Sequence, residues 1–130
     1  MSARTALAVT LAAAAALAGC VAGGGGGNNS AAFSDAAYDL STKIAANIGQ
    51  CWFAGGDATF NGYVYTPERN AGQSRILIVK KSDPTGLPAL VVDATSGSSA
   101  NVYGPLAEGA AGGRIRSDVN RWAKGGPGCA

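Results

Sequence analysis

The side chains able to do chemistry in this chain are few and unevenly placed. Cysteine occurs at Cys20, Cys51 and Cys129, and the 130 residues contain no histidine. Without imidazole the chain lacks the commonest general base, the commonest transition-metal ligand and the usual switch near neutral pH. The eight acidic residues are scattered, and Asp57, Asp83 and Asp93 fall in turns. They do not form the facing carboxylate pair that glycoside hydrolysis requires. Glu68 beside Arg69 reads as a solvated turn. A serine nucleophile would need a lysine base here, and Lys80 and Lys81 flank a strand end. No Gly-x-Ser-x-Gly or Ser-x-x-Lys pattern supports that role, and Ser74-Arg75 reads as the start of a strand. Neither a metal nor an organic cofactor is implied.

Binding chemistry has two candidates. Arg114, Arg116, Arg121 and Lys124 gather near the C-terminus. They could contact an anionic partner such as lipid headgroups, peptidoglycan carboxylates or an acidic protein, or they could be a solvated helix face. Trp52, Tyr63, Tyr65, Tyr103 and Trp122 could line a recognition surface, since aromatics anchor binding sites, or fill the core of a small domain. Ten basic against eight acidic residues give a net charge of +2. That balance implies no electrostatic pull toward nucleic acid.

The N-terminus carries an address. Arg4 precedes an apolar, Ala-rich run from Ala6 to Ala18. The run falls short of the roughly 20 residues a permanent span needs. A charged start, a short apolar core and a small-residue exit describe an export signal. The exit, Leu17-Ala18-Gly19-Cys20, resembles the lipobox of bacterial lipoprotein precursors at all four positions. The resemblance implies cleavage after residue 19 and lipidation of Cys20, by diacylglycerol on sulfur and by acylation, palmitate for example, of the new amine. Several acyl chains matter, because a single chain binds a bilayer only marginally. An ordinary signal peptide with an incidental Cys20 is the alternative. Val21 occupies the place where, in the enterobacterial sorting pattern, Asp retains lipoproteins at the inner membrane. The expected address is therefore the periplasmic face of an outer membrane.

Residues 20–32 read as the lipidated cysteine followed by a tether, because Gly23 to Gly27 and then Asn28, Asn29 and Ser30 offer no apolar side chain to offset ordering entropy. About ten such residues reach roughly 15–20 Å. A phosphate-cradling loop is not supported, since no Lys-Ser/Thr follows the glycines. Residues 33–130 then form one domain by size. Cys51 and Cys129 are the cysteines left to it, and in an oxidising envelope they read as a disulfide. Closing a loop of nearly 80 residues is worth about 4–5 kcal/mol in the chain-entropy model. Two separate thiols are the alternative.

The elements that would carry these residues follow from periodicity. Phe33, Ala37, Leu40, Ile44 and Ile48 mark one face of a helix, with Ser34 as cap, Gly49 as stop and Asp39 and Lys43 spaced to pair. Strand-like segments run from Thr59 to Thr66, Arg75 to Lys81, Leu90 to Ala94 and Asn101 to Tyr103. Pro67 to Gly72, Ser82 to Gly86 and Ser96 to Ser99 read as turns, at hairpin spacing. Tyr103-Gly104-Pro105-Leu106 reads as a rigid corner. Ile115, Val119 and Trp122 mark a second helix over Gly113–Lys124, where Arg114 and Asp118 are spaced to pair. The expected fold is α+β, α-β-β-β-β-α, a small antiparallel sheet of about four strands with both helices on one face. The helix, the following Trp52 and the short sheet, over Ile44 to Val79, also loosely resemble the C-terminal domains of TonB and TolA. The lipid site replaces their transmembrane anchor, extra strands precede the last helix, and no functional residue carries over.

The functional expectation is a non-enzymatic envelope lipoprotein that binds or scaffolds a protein or peptidoglycan, held to the bilayer through Cys20. The alternative is an inhibitor-type module that blocks a wall-degrading enzyme through one rigid loop, Pro67 to Gly72 or Ser82 to Gly86. A histidine-free hydrolase is the third reading.

Overall fold

The computed structural model describes residues 27–70 and 73–130. The export signal and Cys20 lie outside the described residues. Helix α1 spans Gly27–Asn47 and continues without a break into a π-helical segment, Ile48–Ala54. A 3₁₀ turn at Ala58–Phe60 leads to the sheet: β1 Tyr63–Asn70, β2 Gln73–Lys80, β3 Leu90–Ala94 and β4 Ala100–Tyr103. Helix α2 is one turn, Pro105–Glu108, and α3 spans Gly112–Ala123. The four strands form an antiparallel meander in chain order. The architecture is the α+β sheet with an N-terminal and a C-terminal helix that the apolar spacing indicates.

The inner face of the sheet carries Tyr63, Tyr65, Ile76, Ile78, Leu90, Val92, Ala94, Ala100 and Val102. Against it lie Leu40, Ile44 and Ile48 from the first helical stretch and Ile115, Val119 and Trp122 from α3. Ile44, Ile48, Ile76, Ile78, Leu90 and Ile115 are fully buried. Each such side chain contributes about 1.5–3 kcal/mol relative to exposure. A second, aromatic cluster closes the end of the core: Trp52 stacks on Phe60 at 4.5 Å and meets Trp122 at 5.2 Å, and Phe53 meets Tyr65 at 4.9 Å.

Several boundaries differ from the sequence-based reading, each for a local reason. The helix begins at Gly27, within the segment read as tether, so Ser34 lies inside it and not at its start. It does not stop at Gly49. The chain widens into π-helical turns, and Gly49 is needed there because the Tyr65 hydroxyl occupies the space of a Cβ. Thr59 is not in a strand: Asp57 caps the 3₁₀ turn by accepting the Thr59 N–H at 3.0 Å, and β1 starts only after Gly62, at φ +82°. The Asp39–Lys43 pair is not formed, and Asp93, read as a turn residue, lies in β3 opposite Arg75. The Tyr103–Leu106 corner continues as α2, with Pro105 at its first position.

The largest correction concerns Pro67, Glu68, Arg69 and Asn70, which are strand and not loop. Gly62 accepts a hydrogen bond from the Lys81 N–H at 2.8 Å. By alternation Val64, Thr66 and Glu68 turn their backbone toward β2, while Tyr63, Tyr65, Pro67 and Arg69 turn theirs to the open edge. Proline there loses no ladder bond, and it removes one donor from the edge.

Candidate functional site

Asp118 is the polar centre of the domain. It sits on α3 among Ile115, Val119 and Trp122, and it is 3% exposed. Its position, three residues after Ile115 and four before Trp122, places it on the apolar stripe, so it enters the interior with its neighbours. There Oδ2 accepts the Trp52 indole N–H at 3.0 Å. Arg121 reaches Oδ1 at 3.0 Å, and Arg114 lies 3.5 Å from Oδ2. Arg114 also pairs with Asp57 at 2.6 Å and donates to the Thr59 hydroxyl at 3.3 Å. One carboxylate therefore ties α3 to the π-helical segment, and one guanidinium extends the tie to the 3₁₀ turn.

The disulfide closes beside this network. Cys51 and Cys129 are bonded, with 5.3 Å between their Cα atoms. The tail after α3 folds back through Gly125 and Gly128, both at positive φ. The Gly128 carbonyl accepts from the Trp122 indole at 2.9 Å and from Arg121 at 3.2 Å. A cleft of about 380 Å³ opens here, lined by Cys51, Trp52, Gly55, Asp57, Arg114, Asp118, Cys129 and Ala130. The Asp57 and Asp118 carboxylates that line it both pair with the Arg114 guanidinium. Among the described residues no group of His, Cys, Asp or Glu is placed to hold a metal ion.

The four basic residues singled out in the sequence do not form an open cationic patch. Arg114 and Arg121 are held by Asp118. Arg116 pairs with Glu108 and donates to the Ala107 carbonyl at 2.6 Å. Lys124 is the one of the four without an ion pair among the described residues. The aromatic candidates divide: Trp52 and Trp122 are buried, Tyr63 and Tyr65 pack against the core, and Tyr103 is exposed. Ser74 is buried at one end of β2 and Lys80 is exposed at the other, about 20 Å apart at ~3.4 Å per residue.

Two further surfaces stand out. A groove of about 330 Å³ runs between α1 and β1, lined by Tyr38, Ser41, Thr42, Ala45, Pro67, Glu68 and Arg69. Arg69 lies 4.4 Å above the Tyr38 ring and pairs with Asp35 at 3.2 Å, both at the surface. At the opposite end of the sheet, the β2–β3 connection raises Leu87 into solvent at 95% exposure.

Sequence reasoning noted the Arg114–Asp118 spacing and missed that Asp118 is buried. The signal was available, because a carboxylate inside an apolar stripe must find partners. Comparison with known proteins finds no match to the chain among family models, curated proteins or solved structures.

Proposed function

We propose that this chain is a lipid-anchored protein of the bacterial envelope that binds another envelope component and does not catalyse a reaction. The observation that carries the reading is the Cys51–Cys129 disulfide in the domain that follows the Leu17-Ala18-Gly19-Cys20 sequence. A structural disulfide belongs to oxidising compartments, and a lipobox belongs to proteins exported to one. The two features lie in different parts of the chain and point to the same place. Val21 directs the proposal to the periplasmic face of the outer membrane. The brace around Asp118 supports binding over catalysis, because it commits both cleft carboxylates and Arg114 to one another.

The test is metabolic labelling with a clickable fatty acid, on the parent and on Cys20→Ser, with fractionation of the membranes. Label on the parent alone is expected. Equal label on both, or none on either, would refute the anchor. Turnover of any envelope substrate by the purified chain would refute the non-enzymatic part.

The inhibitor-type reading is kept for one observation. The Ser82–Gly86 turn is held by backbone hydrogen bonds and stands directly before the exposed Leu87. The other loop considered, Pro67 to Gly72, is strand as far as Asn70 and is withdrawn. Failure of the purified chain to protect peptidoglycan from lysozyme-class enzymes would remove this reading.

A further inference from the structure

We infer that the chain forms a weak symmetric dimer, in which two copies stack face to face through the side of the sheet on which none of the described helices packs. The inference goes beyond the proposed binding role and does not depend on the lipid anchor. Ile76, Ile78, Leu90, Val92, Ala100 and Val102 turn to the core, together with residues of α1, α2 and α3. Alternation gives the other face to the strand residues between them. Three rungs of the register cross that face: Val64–Val79, Thr66–Leu77–Val91–Tyr103, and Glu68–Arg75–Asp93–Asn101.

An antiparallel sheet with one face in water alternates apolar and polar residues, and strands covered on both faces read as apolar runs. Here β2 reads Ile-Leu-Ile-Val and β3 reads Leu-Val-Val, with no polar break. Val79 and Val91, at 4% and 8% exposure, stand outside the core cluster. Both lie on central strands, where neighbouring strands flank them on each side. Around them Val64 and Leu77 are half-buried, and Thr66 and Tyr103 are exposed. The sequence of the central strands is that of a sheet with a second layer on this face.

The charged rung selects the occupant. Asp93 stands opposite Arg75 but makes no ion pair with it, or with any other of the described residues. Arg75 meets Glu68 at 3.5 Å, and its Nε is buried with no acceptor among the described residues. A two-fold axis parallel to the strands, over the line between β2 and β3, lays β2 on β3 of the second copy and keeps each rung level. Arg75 then faces Asp93 of the second copy, and Asp93 faces its Arg75. Leu77 faces Val91, and Thr66 faces Tyr103. Stacked sheets lie about 10 Å apart and are turned by about 30°, so register holds best beside the axis, where the Arg75–Asp93 and Leu77–Val91 pairs sit. An axis across the strands at the middle rung would instead set Arg75 on Val79 and Asp93 on Ala89, which strands both charges on apolar side chains. The face measures roughly 20 Å each way, about 400 Å² a side against ~800 Å² in a standard interface. The dimer is therefore weak, monomeric at about 1 μM and half formed at roughly 100 μM.

Sedimentation velocity of the full chain in a mild detergent, from about 1 μM to about 500 μM, reads the association. The parent is expected to pass from monomer to dimer. Arg75→Asp sets carboxylate on carboxylate across the interface, and Asp93→Arg sets guanidinium on guanidinium, so each variant alone stays monomeric. Their equimolar mixture is expected to dimerise, because each new charge then faces an opposite one. A misfolded variant cannot give that recovery. Thr66→Lys, at an exposed position on the same face, also keeps the chain monomeric with no change in melting temperature. Asn120→Lys, exposed on α3, leaves the dimer intact. A parent that is monomeric throughout, single variants on the face that associate like the parent, or a mixture that stays monomeric overturns the dimer. Loss of association in Asn120→Lys overturns it as well.

Discussion

Replacing Asp118 by alanine tests whether the buried carboxylate braces the domain. The Trp52 indole N–H loses its acceptor at a residue 1% exposed, where water cannot replace it. An unsatisfied buried donor costs about 1–3 kcal/mol. Arg121 and Arg114 lose one partner each, but their side chains are 32% and 40% exposed, so each loss counts for at most about 1 kcal/mol. Arg114 also keeps Asp57. The expected total is about 2–4 kcal/mol, a large part of the roughly 5–15 kcal/mol that holds a domain of this size. Asp118→Asn keeps an acceptor for the indole and should cost about 1 kcal/mol. Trp52→Phe removes the donor, so the double variant should be less destabilised than the sum, by about 1–2 kcal/mol. Urea unfolding of the oxidised protein reads all four corners of the cycle. A loss below about 0.5 kcal/mol for Asp118→Ala, or simple additivity with Trp52→Phe, would refute the brace.

Other outcomes follow from single contacts. Cys51→Ser should lower stability by up to about 4.5 kcal/mol under oxidising conditions, with little added effect of reductant, and equal unfolding midpoints for variant and parent would contradict that. Gly49→Ala drives a methyl into the Tyr65 hydroxyl and should cost about 1–3 kcal/mol. Tyr65→Phe in the same chain should recover part of it, and no recovery would mean that the collision lies elsewhere. Pro67→Val should restore a backbone donor to the open edge of β1 and raise self-association, read by sedimentation velocity as a concentration-dependent dimer. A monomer at all concentrations would show that proline is not what guards the edge.

Legibility in the sequence tracked how local each signal was. Leu90 to Ala94 coincides with β3, because a short apolar run between turns leaves one solution. The stripe Ile115, Val119, Trp122 placed α3 within one residue at each end for the same reason. The π-helical segment was not legible. Ile48 and Trp52 are four apart, as in an α-helix, and the approach of Tyr65 to Gly49 comes from 16 residues away. Pro67 misled because its permission to stay in a strand depends on which side of the backbone β2 occupies. Of the basic cluster the sequence shows only Arg114, Arg116 and Arg121 together. Their partners Asp57 and Glu108, and the buried position of Asp118, appear only after folding.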